Sequence, residues 1–283
     1  MRICHEIGDN GTKKMQIVNS DGNPLPIPQN PLPNKVIGFK RITIAYIDQN
    51  AVAFLRRFRR IFAFCSIYLD IITEDVRILE FVMLNILPMF RNSIDLMLLN
   101  SIAFRRLLQL APSFLNDCPS VRFVSFDDAI FPAFPPDESA NASDGQAMTK
   151  WLFTPRPDGL PKVLYYSVNS PDRWSSTMEL IKTAFSNASS PVTFCIHFWT
   201  SSPPDSIVPF DRINEVTGEK LYLLQDNTHD CCLFRMPIGW GGRKWKNVWK
   251  EMIDRTNPIN IGIEDGGFDD GLLGSASPGP SDH

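Results

Sequence analysis

The sequence predicts an α/β chain, a leucine-rich-repeat-like strand-helix solenoid with an antiparallel, hairpin-containing C-terminal cap. Two observations carry this. Short apolar runs recur along the first 200 residues, each followed by a longer stretch with helical spacing, the pattern of parallel strands joined by helices. Beyond them the rhythm gives way to two strand-like arms around Thr217-Gly218, where glycine supplies the positive φ of a tight turn.

The strands are phased as follows. They begin at Ile42 (ITIAYI), Ile67 (IYLDII), Ile94 (IDLMLL), Val121 (VRFVSF), Val163 (VLYYSV) and Val192 (VTFCIHF), and subtraction of those positions gives intervals of 25, 27, 27, 42 and 29 residues. The long interval contains FPAFPPDESANAS, Phe131 to Ser143, whose prolines lack a donor and whose small polar residues cannot form a core. It reads as a loop inserted into one repeat.

Helical faces fill the intervals. Val52, Leu55, Phe58 and Phe62 fall on one side of a helix, with Arg56, Arg57 and Arg60 around the other. Val76, Leu79, Met83, Ile86 and Phe90 repeat the pattern, as do Ile102, Leu107, Leu108, Ala111 and Leu115, and then Met178, Ile181, Ala184, Phe185 and Ala188. Pro88 and Pro112 are expected to bend or end two of these helices. A strand-helix unit cannot bury its apolar face alone, so a period of 25 to 29 residues implies stacked neighbours, with a doubly wound sheet as the alternative.

Four regions follow: an extended, proline-rich segment over 1–34, the repeat region over 35–200, a cap of hairpin, helix (KWKNVWKEMI) and strand (INIGI) over 201–264, and an unfolded acidic tail over 265–283. Neither end is expected to carry a core. At 283 residues with 43% hydrophobic and 21% charged side chains, the chain is ordinary globular material. A formal charge of -3 offers nucleic acid and anionic membrane no global attraction. No run is long and apolar enough to span a bilayer, and Met1 to Asn10 lacks the apolar core of a secretory signal, so a cytoplasmic or nuclear location is expected. The six cysteines then read as reduced thiols.

Chemistry is sparse. The turn after Ile47 has no glycine for a dinucleotide phosphate, and Gly239, Gly241 and Gly242 before Arg243-Lys244 read as a flexible turn more readily than as an anion nest. Cys195, His197, His229 and Cys231 form the tightest cluster of soft side chains and define the rival reading, an α/β enzyme with a zinc or Cys-His centre. Paired acids at Asp127-Asp128 and Asp269-Asp270 are expected to be solvated. No catalytic, metal-binding or cofactor-binding residue is assigned. Exposed aromatics anchor many interfaces, which nominates Tyr46, Tyr68, Tyr165 and Tyr166 on strands and Phe131 and Phe134 on the inserted loop as partner contacts.

Several segments resemble the region that follows the F-box in the large family of nematode F-box proteins. They are Leu25 to Asp48 (LPIPQNPLPNKVIGFKRITIAYID), Thr149 to Leu164 (TKWLFTPRPDGLPKVL), Ala184 to Phe198 (AFSNASSPVTFCIHF), Ile207 to Leu223 (IVPFDRINEVTGEKLYL) and Leu233 to Ile253 (LFRMPIGWGGRKWKNVWKEMI). The pattern departs at Met236, where the family commonly has cysteine, and at Gly239 to Gly242, where it is usually acidic. This resemblance implies a non-catalytic region that recognises protein partners while an upstream F-box docks on the adaptor of a cullin-type ubiquitin ligase. Met1 to Asn34 is short, polar and proline-rich, unlike an F-box, so adaptor binding is expected only where an F-box exists upstream. Without one, the chain would act as a decoy that binds ligase targets.

Overall fold

A computed structural model describes residues 1–7, 13–19, 21–25, 41–62, 65–126, 130–168, 171–200, 208–225, 230–240, 259–267 and 269. The chain is mixed α/β and divides into two compact units, Met1–Ser93 with Asn257–His283, and Ile94–Thr256. The expected cap helix over KWKNVWKEMI and all of the tail beyond Asp269 lie outside the described residues.

The first unit is built on β4 (Arg41–Ile44), β5 (Ile67–Ile71) and β13 (Ile259–Ile263), where apolar residues alternate with polar ones. Alternation places Ile42, Ile44, Ile67, Leu69, Ile71, Ile259, Ile261 and Ile263 on buried positions. β13 runs parallel to both of its neighbours, with Ile261 level with Ile42 on one side and Leu69 on the other. The INIGI strand expected in an antiparallel cap is therefore a central strand of the first unit, and it separates two repeats expected to be adjacent. Nothing in the local sequence shows this, because the pairing spans almost the whole chain.

A second correction concerns the N-terminus. β1 (Arg2–Ile7) and β2 (Lys13–Val18) form an antiparallel pair that continues into β3 (Pro24–Leu25), and β1 runs parallel to β4. Ile3 and Ile17 face each other across the pair, and both are buried, as is Met15. The segment thus carries core; its apolar residues sit in short stretches broken by Arg2, Lys14 and Gln16, so they form no run. Between β4 and β5, α1 (Gln49–Phe62) begins at Asp48, whose carboxylate accepts from the Ala51 amide at 2.8 Å. The predicted face of α1 is buried at Val52, Leu55, Phe58 and Phe62. After β5, α2 (Val76–Phe81) passes into a π turn, Val82–Ile86, and a 3₁₀ turn, Leu87–Met89, where Pro88 cannot continue an α-helix.

The second unit matches the predicted rhythm more closely. β6 (Ile94–Leu99), β7 (Phe123–Phe126), β8 (Lys162–Val168) and β9 (Phe194–Thr200) are parallel neighbours in chain order. α3 (Ser101–Leu110), α4 (Asp144–Phe153) and α5 (Pro171–Ser186) connect them. α3 stops two residues before Pro112, as its ring requires. The inserted loop leads into α4, which was not predicted and which explains the long interval. A reciprocal cap between Ser143 and Gln146 starts it, and a Cβ at Gly145 would collide with the Phe131 carbonyl of the inserted loop. β12 (Asp230–Pro237), β11 (Glu219–Gln225) and β10 (Phe210–Asn214) extend the sheet antiparallel beyond β9. The hairpin turns at Gly218, with φ of 67°, as read from the sequence.

All three helices pack on one face of this sheet, through Phe104 on Phe126 at 4.6 Å, Phe153 on Phe194 at 5.1 Å and Trp174 on Phe198 at 3.7 Å between ring centroids. Beneath them lies an ion pair. Glu219 and Arg235 are each 1% exposed, and the Arg235 guanidinium donates twice to Glu219 Oε2, at 2.7 and 3.0 Å. Its other bond goes to the Ser190 carbonyl, while Glu219 Oε1 accepts from the Val192 amide at 2.8 Å. Replacing Glu219 by Ala strands a buried cation, and urea unfolding is expected to show a loss of about 3 to 5 kcal/mol. The double replacement Glu219→Leu/Arg235→Met is expected to cost less than that single change, because no charge is left unpaired.

Lys162, the first residue of β8, is another buried cation of this unit. Its ammonium donates to the Trp151 carbonyl, and burial, with a smaller contribution from Arg156, lowers its pKa from 10.5 to about 7. Between those values the unfolded chain holds a proton that the folded chain has lost, so stability increases with pH across that window. Unfolding curves at stepped pH are expected to show this rise in the native chain and to lose it in Lys162→Met.

Candidate functional site

Burying the apolar stripe of α1 drives its charges outward. Arg56, Arg57, Arg59 and Arg60 are all exposed. The π turn that follows α2 lies against α1, and its wider winding leaves Leu84 69% exposed. Arg56, Arg59 and Arg60 line one side of a groove of 620 Å³, and Leu84, Asn85, Pro88 and Met89 line the other. None of these three arginines makes an ion pair with a described residue. The groove therefore offers three guanidiniums beside an apolar floor, a combination suited to an acidic segment carrying a hydrophobic side chain.

The nominated aromatics do not converge on one place. Tyr46 is 3% exposed and is no surface anchor; it follows β4 into the core, and burial, then Asp48 and Asp269, raises its pKa. Tyr68 is half-buried on β5. Phe131 and Phe134 are half-buried in the inserted loop, with Phe134 edge-on to Phe153 at 5.5 Å. The Tyr166 side chain lies outside the described residues. Tyr165 is placed otherwise. It stands on the sheet face opposite the three helices, stacked with Phe123 at 6.5 Å and edge-on to His197 at 4.8 Å, in a row crossing β7, β8 and β9.

Among the described residues, the Cys-His cluster does not assemble as the ligands of one metal would need. Cys195 and His197 share the face of β9 that Tyr165 occupies, and the register brings Cys232 level with His197. Cys231, one residue earlier, points to the helix-covered face level with Phe198. His229 lies outside the described residues, and among those described no group of three or more His, Cys, Asp or Glu could hold a metal ion. Burial, and then a hydrogen bond with Cys232, pushes the Cys195 thiol well above its ordinary value, the reverse of what a nucleophile needs. Burial together with these thiols also pushes Tyr222 up to about 12. Of the glycine turn, Gly239 is exposed and Gly241 and Gly242 fall outside the described residues.

No family model, curated protein or solved structure matches the chain. The groove beside α1 is thus characterised by its own geometry. From the sequence, Arg56 to Arg60 are the wet side of a helix or, less favoured, a nuclear-import or phosphate patch; a groove is not visible there because the opposing wall depends on the π turn. One signal pointed to it: Pro88 late in an otherwise regular apolar pattern.

Peptide mass spectrometry after treatment with iodoacetamide near neutral pH is expected to find Cys65, which is half-exposed, modified well before Cys195 and Cys231. Those two are buried and should react only once the chain is denatured. Early modification of Cys195 would revive a nucleophilic role.

Proposed function

We propose that the chain is a non-catalytic protein-interaction domain that binds an acidic, leucine-type apolar segment of a partner protein in the groove between α1 and the π turn. The observation that carries this is the pairing of Arg56, Arg59 and Arg60, without ion-pair partners among the described residues, with the exposed Leu84 across 620 Å³ of open space. Arginine contributes disproportionately to interface energy, and a groove with a charged rim and an apolar floor selects partners by both properties.

The resemblance to the post-F-box region supports the same reading. In such a protein this domain selects the target while an F-box engages the ligase adaptor; without an F-box it holds the target as a decoy. Stacked strand-helix repeats of the leucine-rich kind would place further contacts on the strand face that bears Tyr165, extending the surface beyond the groove. The loop residues Phe131 and Phe134 are the remaining contacts of this reading.

A fluorescently labelled peptide alternating Glu with Leu is expected to bind the intact chain saturably and to weaken as salt rises. Arg56→Glu/Arg59→Glu/Arg60→Glu is expected to reduce affinity by roughly tenfold or more, the sum of several exposed ion pairs. Leu84→Asp should lower it further. Equal binding of a Lys/Leu peptide, or no effect of the triple change, sinks the proposal.

A further inference from the structure

A second cavity lies wholly within the second unit, and the partner-binding reading makes no use of it. It measures 400 Å³ and opens between the end of α4, the turn before β7 and the entry to β8. Leu115, Pro119, Val121, Trp151, Pro155 and Pro157 supply its apolar walls. That volume lies within the range of small-molecule sites, which combine such walls with a few fixed polar groups.

Its polar groups differ in how fully they are matched. Arg156 is fully engaged: it donates to both carboxylate oxygens of Asp158, at 2.9 and 2.7 Å, and to the carbonyls of Ser120 and Val121 at 2.7 and 2.9 Å. Asp158 is correspondingly held down to about 2 by that guanidinium. Glu138 accepts from Asn116 at 2.5 Å. Lys162 and Lys150 are left, and neither makes an ion pair with a described residue. Lys162 is 5% exposed; its ammonium lies 5.0 Å from the Trp151 ring and uses one donor, to the Trp151 carbonyl. An ammonium carries three donors, so two remain at the cavity wall.

We propose that this cavity binds a small aromatic or aliphatic monocarboxylate, its carboxylate on the Lys162 ammonium and its apolar body against Trp151 and the prolines. Two features select a single negative charge. Of the cations lining this cavity, Lys162 is the buried one without a carboxylate among the described residues, and Glu138 on the same wall repels a dianion such as phosphate more strongly than a monoanion. Binding supplies the charge that burial denies Lys162, and is therefore coupled to proton uptake by that amine. Arg156, Lys150 and Glu138 are the charged groups facing it, and Arg156 favours the neutral amine until an anion arrives.

The test uses the intact chain with benzoate and inorganic phosphate as separate probes, followed by calorimetry and by labelling of Lys162 with an amine reagent read out by peptide mass spectrometry. Benzoate is expected to saturate at about pH 6, to weaken toward a limit of roughly tenfold per pH unit above the lysine's titration, and to protect Lys162 from labelling. Lys162→Met is expected to abolish binding, and Lys150→Met to preserve its pH dependence. Because Lys162→Met could fail to fold, the protection measurement on the unaltered chain stands independently. Unprotected Lys162, phosphate binding tighter than benzoate, or benzoate binding undiminished in a folded Lys162→Met chain each overturns the proposal.

Discussion

The pair Glu219 and Arg235 is the constraint on which the second unit is organised. A charge buried to this degree must be matched completely, and every atom that matches it comes from a different part of the chain: β11, β12, the Ser190 carbonyl after α5, and the Val192 amide at the entry to β9. Phe153 of α4 and Phe185 of α5 close over the guanidinium, with centroids 5.7 and 5.4 Å away. A one-residue slip of the antiparallel extension would turn Arg235 to the other face and strand Glu219.

That register also decides which chemistry the strands display. With Arg235 and Cys231 toward the helices, Cys232 and Phe234 must face the other way, beside Cys195 and His197. The soft side chains that look like a cluster in the sequence are thus divided between two faces. What faces outward from β7 to β9 is a row of rings with one histidine, and what is exposed in the first unit is arginine and leucine. The buried thiols belong to packing.

Much of this was legible. Continuous apolar runs found six strands, and apolar stripes found four helices, because tertiary burial imposes those periods locally. The Thr217-Gly218 turn was legible because its closure needs a positive φ that glycine supplies without strain. The misses share a cause. Ile3, Met15 and Ile17 sit in short stretches broken by Arg2, Lys14 and Gln16, and β13 finds its place through pairing with strands about 190 and 220 positions earlier in the chain, which no local window contains. α4 was hidden by its composition, since Gly145, Thr149 and Lys150 dilute the stripe while Trp151 and Leu152 fill the core. Tyr46 was read as surface because tyrosine is amphipathic; its position after β4 decides otherwise.

Two of the buried cations, Arg235 and Lys162, show why the sites could not be read from residue types. Arg235 and Lys162 both lie under the helices of the same sheet, and Lys162 and Phe194 are level on adjacent strands just as Arg235 and Phe194 are. Arginine found a carboxylate, the Ser190 carbonyl and two aromatic rings, so its charge is consumed by the fold. Lysine found a carbonyl, a ring and another cation, so its charge is unsupported and its proton is held weakly. A fully matched charge fixes structure; an incompletely matched one at a cavity wall gains most from a ligand that completes it. The same logic applies on the surface of the first unit, where Arg56, Arg59 and Arg60, without ion pairs among the described residues, face an exposed leucine. In this chain, then, function is to be sought where the fold leaves a charge unanswered, and the sequence alone gives the charges but not their answers.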